Sequence, residues 1–187
     1  MGTKMKMKFK VFLTLLLAVG LLVACGGNGA EDADKGADTD ADTDADVVAA
    51  ASFVGNADEL IATAGDNGAW IIIPTTDISV DEELVVSGTF HDQGDEANDV
   101  YRKLAAYDTD EDQNITEQRT ITTPRLVVKS ENLYFKGGTL DGDVYVEADG
   151  FELDETATIT GDLVFANADV EASATITGTV EGETSVE

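Results

Sequence analysis

From Arg125 to the end of the chain one apolar pattern returns about every 18 residues. Leu126, Val128, Leu133 and Phe135 are answered 18 positions later by Val144, Val146, Phe151 and Leu153. Those are answered 19 positions later by Leu163, Phe165, Val170 and Ala172. The turn triplets Leu140-Asp141-Gly142, Ile159-Thr160-Gly161 and Ile176-Thr177-Gly178 keep the same time, spaced 19 and then 17. Within each copy, apolar and polar residues alternate in short bursts broken by Gly, Asp or Asn, which is the two-residue period of a strand. So short a unit has no core of its own and must stack on its neighbour.

The spacing therefore predicts an all-β fold, a right-handed parallel β-helix built as a single-stranded solenoid with one coil per repeat. Equivalent side chains then meet about 4.8 Å apart along the axis. The expected inward columns are Leu140/Ile159/Ile176, Val144/Leu163/Val180, Val146/Phe165 and Phe151/Val170.

Upstream, Lys4, Lys6, Lys8 and Lys10 precede the apolar run Val11 to Val23, which is shorter than a membrane-spanning helix needs. Residues 1–24 thus read as a secretory signal peptide. Leu22-Val23-Ala24-Cys25 resembles the lipobox of bacterial lipoproteins, and Cys25 is the one cysteine of the chain. The resemblance implies lipid attachment at Cys25, the alternative being an ordinary signal peptide with an incidental cysteine. The expected location is exported and lipid-anchored, on the outer face of the cell membrane or at the outer membrane of a Gram-negative cell.

Residues 25–55 read as a disordered acidic tether, since alternating Asp, Ala and Thr offer nothing to bury. Residues 56–187 read as the β-helix domain. Asn56 with Glu59 opens a capping helix over 56–65 that Gly65 stops. Trp70 to Ile73 is expected as the first strand, followed by Ile78 to Val80 and Leu84 to Phe90.

Residues 91–123 break the period and read as an insertion with two open readings. One is a β-hairpin pairing Val100–Tyr107 with Ile115–Thr122 around Asp110–Asn114. The other is a helix entering a calcium loop at Asp108, but Gln113 and Arg119 stand where that loop needs Gly and Glu. In either, Asp108, Asp110, Asp112 and Asn114 are candidate ligands of a weakly held calcium ion. His91 with Asp92, Asp95 and Glu96 is a second, weaker metal candidate.

Removing residues 1–24 leaves 7 Lys and Arg against 38 Asp and Glu, a charge of −31 over 163 residues. That charge excludes nucleic acid and anionic lipid surfaces as partners. One histidine without a partner nucleophile makes no triad, and no phosphate loop or Cys/His metal spacing occurs, so no enzyme is expected.

The Thr-Ile-Thr-Gly-Asp and Thr-Leu-Asp-Gly-Asp corners, at 158–162 and 139–143, resemble the bactofilin (polymer-forming) β-helix proteins. The whole layout, with Trp70-Ile71-Ile72-Ile73, Arg102-Lys103-Leu104-Ala105-Ala106-Tyr107 and Gly138-Thr139-Leu140-Asp141-Gly142-Asp143-Val144-Tyr145-Val146, is similar to uncharacterised lipoproteins of Clostridium-like bacteria. The bactofilin likeness implies end-to-end filaments. The acids at Glu181, Glu183 and Glu187 and the export signal depart from that pattern.

Three functions are expected to compete. The first is a structural or adhesive surface lipoprotein with carbohydrate or divalent-cation contacts. The second is a cation-assisted self-assembling envelope scaffold, and the third a carbohydrate-active enzyme.

Overall fold

The structure, a computed structural model, describes residues 51–187. The signal peptide, Cys25 and nearly all of the acidic tether lie outside the described residues. In chain order the elements are β1 (Ser52–Val54), α1 (Ala57–Ala64), β2 (Ile71–Pro74), β3 (Ile78–Ser79), β4 (Leu84–Val86) and β5 (Arg102–Ala105). Then come β6 (Tyr107–Thr109), β7 (Ile115–Gln118), β8 (Thr120–Val128), β9 (Leu133–Lys136), β10 (Gly138–Val146) and β11 (Glu152–Leu153). The chain ends with β12 (Ala157–Ile159), β13 (Leu163–Phe165), α2 (Ala168–Ser173), β14 (Thr175–Ile176), β15 (Thr179–Val180) and β16 (Thr184–Val186).

The fold is mostly strand, in two sheets whose pairings are all parallel. One runs β1-β2-β5-β9-β11-β14. The other joins β3 and β4 to β8, then β8 to β10, β10 to β12 and β13, and these to β15 and β16. Parallel neighbours cannot be joined by a tight hairpin; β1 and β2 are joined through α1, and every later pair is separated by a circuit through the other sheet.

Apolar residues one circuit apart consequently line up. In the first sheet Ile72, Leu104, Phe135, Leu153 and Ile176 share a register position. In the second, Ile78-Ile121-Leu140-Ile159-Val180, Leu84-Leu126-Val144-Leu163-Thr184 and Val86-Val128-Val146-Phe165-Val186 form three more columns. Except at the last turn, all of these side chains are buried and belong to one core. Gly142, at φ +151°, sits at a corner where a Cβ would meet the Thr123 carbonyl oxygen at 1.8 Å, so only glycine lets the two turns approach.

Five expectations need correction. The register positions of Ile176 and Val180 are displaced: Ile176 pairs with Leu153 and Val180 with Ile159. The cause is α2, which lengthens the last circuit. Asn167 caps it by accepting the N–H groups of Asp169 and Val170, and Ala168, Glu171 and Ala172 are good helix formers. Val170 is therefore a buried helix residue, not a strand partner of Phe151.

The tether is shorter than expected, because Ser52–Val54 already pairs with Ile72–Pro74. Trp70–Ile73 is thus not the outermost strand. The hairpin is also smaller. Only β6 and β7 pair antiparallel, while Arg102–Ala105 and Thr120–Thr123 belong to the two parallel sheets. Leu104 and Ile121, both fully buried, hold those segments in the core. The capping helix is as expected. Asn56 accepts the Glu59 N–H at 3.0 Å, the Glu59 carboxylate accepts the Gly55 N–H at 2.7 Å, and Leu60 and Ala64 are buried.

One interior position is charged. Arg102 is fully buried on the inward side of β5. Its guanidinium donates to the carbonyls of Ala69 (3.2 Å), Thr63 (2.7 Å), Gly65 (3.3 Å) and Ser87, and to Ser130 Oγ (3.0 Å). It also stacks 4.1 Å from the ring centre of Phe90. Burial pulls its pKa down to about 10 against the opposing pull of Asp66. Thr63 and Gly65 close α1, so the cation also meets the negative end of that helix. Arg102 thereby ties α1, the Ser87 loop and the turn before β9 together.

Candidate functional site

Strand alternation decides what the first sheet presents to solvent. In β5 Arg102 and Leu104 point inward, leaving Lys103 outside. In β9 Leu133 and Phe135 point inward, leaving Tyr134 and Lys136 outside. The register sets Lys103 beside Tyr134. Tyr101 precedes β5 and Tyr107 opens β6, so one outer face collects three of the chain's four tyrosines, beside its single Trp, Trp70.

Against this face lie two clefts, together the groove, that share Lys103 as a wall. One, of about 890 Å³, is lined among others by Trp70, Asp99, Tyr101, Lys103 and Glu131. The second, of about 510 Å³, is lined among others by Lys103, Tyr107, Gln113, Lys136 and Asp154. Lys103 belongs to both. The departures from the repeat form its walls. The 91–99 loop closes one end and is fixed by the contact of His91 Nδ1 with the Asn98 carbonyl (2.8 Å) and by Asp95 accepting the Ala97 N–H (2.9 Å). The β6–β7 hairpin closes the other.

The aromatic rings form a tilted series: Trp70 to Tyr101 at 6.0 Å and Tyr101 to Tyr134 at 6.5 Å between centroids. Lys103 donates to the Tyr107 hydroxyl at 3.0 Å. Its ammonium lies 5.4 and 5.7 Å from the Tyr107 and Tyr134 ring centres, and that of Lys136 lies 5.9 Å from both. Burial, with Asp92 and Glu152 adding, pushes the Tyr101 phenol up to about 12. Burial and then its hydrogen bond to Asp154 push Tyr134 up as well. For Asp154 burial acts upward, but hydrogen bonds from Thr156 and Tyr134 outweigh it and hold the carboxyl below its usual range. The indole N–H of Trp70 is buried without an acceptor.

The calcium quartet fares differently. Asp110 spends its carboxylate on its own turn, accepting the backbone N–H groups of Asp112 (3.0 Å) and Asn114 (2.8 Å) and the Asn114 side-chain amide (3.1 Å). These bonds, the Asn114 side chain first, hold its carboxyl below the usual range. Asp108 is paired with Arg119 at 2.6 Å. Among the described residues no group of three or more His, Cys, Asp or Glu side chains is arranged to hold a metal ion, the His91 loop included. Asp110 is a turn-former here.

The chemistry this groove supports is recognition: flat apolar rings, two ammonium groups and several carboxylate acceptors on a rigid sheet. Sequence reading missed it because Lys103 and Tyr134 are 31 positions apart, well off the 18-residue period. The usable signal was the clustering of Trp and Tyr between 70 and 134 in a chain with only 12 aromatic residues of these types and Phe. No protein-family model, no curated protein and no solved structure matches the chain. Among the described residues no helix is long and apolar enough to cross a membrane.

Proposed function

We propose that this chain is a non-enzymatic, lipid-anchored cell-envelope protein, exported and held at the membrane through Cys25. Its acidic domain, a right-handed parallel β-helix, presents the groove lined by Trp70 and Tyr101, with Tyr134 beside it, for contact with carbohydrate. The coil reading is supported by two all-parallel sheets whose registers recur once per circuit, and by the near-universal right hand of parallel crossovers. The anchored reading rests on the basic leader, the apolar run and the single cysteine.

The carbohydrate reading is carried by the row of tilted rings at 6.0 and 6.5 Å. Sugar rings offer apolar C–H faces to aromatic side chains and hydroxyls to neighbouring carboxylates. The carboxylates of Asp92, Asp99 and Glu131 line the same end of the groove. A glycan array probed with the full chain in detergent tests this. Binding that is lost on Tyr101→Ala and Tyr134→Ala supports it, and no binding to any glycan removes it.

A second reading, a cation-assisted self-assembling scaffold, is favoured by one observation. The outer edges of β14, β15 and β16 carry no further strand among the described residues, and Ile176 and Val186 are 38% and 37% exposed there. Exposed strand edges invite pairing with another chain. Light scattering that rises with calcium and reverses with chelator supports that reading; a monomer under both conditions excludes it.

A further inference from the structure

We infer that the groove selects an anionic saccharide, with Lys103 and Lys136 as the seat of the sugar's negative group. This rests on the carbohydrate reading above and adds the charge class of the ligand.

Residues 51–187 contain six Lys and Arg against 30 Asp and Glu. With carboxylates so abundant, a surface cation has an acid within reach almost anywhere. Arg119 pairs with Asp108 and Glu117, Arg125 with Glu83, and Lys129 with Glu147, while Arg102 is buried among carbonyls. Of the five Lys and Arg side chains that reach the surface among the described residues, only Lys103 and Lys136 form no ion pair. Both stand in the same groove, within 6 Å of the same two tyrosine rings.

The carboxylate of Asp154, on that wall, is already engaged on both oxygens. Oδ2 accepts the Tyr134 hydroxyl, and Oδ1 accepts the Thr156 hydroxyl and, at 3.0 Å, the Thr156 N–H. The two ammonium groups keep donors to offer a ligand.

The two parts differ in charge: three carboxylates with one ammonium group in the first, two carboxylates with two ammonium groups in the second. At the Trp70 end the carboxylates of Asp92, Asp99 and Glu131 accept hydroxyls and repel anions. The Tyr107 end adds a second ammonium group, Lys136, to that of Lys103, beside the carboxylates of Asp154 and Glu155. A saccharide with an anionic substituent on one unit matches this order, with neutral rings on Trp70 and Tyr101 and the charge between Lys103 and Lys136. A nucleic acid does not match, because its regular phosphates would meet 30 carboxylates with two free cations to answer them.

The test uses the full chain in detergent and an array of neutral, uronate-bearing, sialylated and sulfated oligosaccharides, so that carboxylate and sulfate sources are separated. The expected result is binding to acidic members above neutral ones, weakening as salt rises. The double variant Lys103→Met, Lys136→Met should then lose about tenfold or more in affinity for the acidic glycans. Its urea midpoint should stay near that of the parent, which separates ligand loss from misfolding. Equal binding of neutral and acidic glycans, or an undiminished acidic preference in the double variant, overturns the anion seat while leaving the carbohydrate reading standing. No binding to any glycan overturns both.

Discussion

Replacing Arg102 with methionine keeps most of the buried stem and removes the guanidinium. Two terms oppose each other. Removing a buried charge relieves a desolvation penalty of several kcal/mol. Against that, the guanidinium makes hydrogen bonds to Thr63, Gly65, Ala69, Ser87 and Ser130, and each charge-assisted bond is worth about 1.5–3 kcal/mol. The variant also leaves the Thr63 and Gly65 carbonyls at the end of α1 without a donor. Breaking one side of such a buried network typically costs about 3–5 kcal/mol. With a urea slope of about 1–3 kcal/mol per molar, the unfolding midpoint should fall by roughly 2 M. Amide exchange in Ala57–Ala64 should rise most, since α1 loses its main polar tie. An unchanged or higher midpoint would mean that the carbonyls are satisfied without Arg102, and the assignment of its role would be wrong.

Phe165→Ala should cost about 3–5 kcal/mol as a core cavity, whereas Val164→Ala, on the outward side of the same strand, should cost under about 1 kcal/mol. Equal losses in chemical denaturation would show that β13 faces the other way. Tyr101 has its pKa raised from 10.0 to about 12. The native state therefore keeps a proton that the unfolded chain releases, and this contribution to stability is fully present below pH 10 and is lost as pH climbs towards 12. Tyr101→Phe should flatten that part of the stability profile, and an identical profile would contradict the burial of the phenol. Cys25→Ala should abolish incorporation of labelled fatty acid and release the protein from membranes, and continued labelling would remove the lipid anchor from the account.

The repeat was legible where circuits are uniform. Leu126/Val144 and Phe135/Leu153 sit one above the other as the 18-residue spacing requires. Asn56 and Glu59 announced α1 because capping is a local interaction. Reading failed where a circuit carries extra chain. Asn167-Ala168-Asp169-Val170 keeps an apolar residue at the expected offset, so a helix passed for a strand, and every later position moved. Arg102 and Leu104 were assigned to a hairpin because the loop before them and the hairpin after them hide their 31-residue register to Leu133 and Phe135. The groove depends on that register, so its aromatic and lysine residues stayed scattered in the sequence. The acidic run Asp108–Asn114 is ambiguous from sequence alone. Asx-turn formation and calcium ligation call for the same residues, and here Asp110 serves the turn.

Spin labels read the stacking of successive circuits most directly. Tyr145, Val164 and Ser185 are register partners on the second sheet, and they can be labelled in pairs as cysteines in a Cys25→Ser background. Stacked parallel circuits put adjacent backbones about 4.8 Å apart and the outer two about 10 Å apart. The account predicts strong coupling for 145/164 and 164/185 and weaker, still measurable coupling for 145/185. Comparable long distances in all three pairs, as in an up-and-down sandwich, would contradict it.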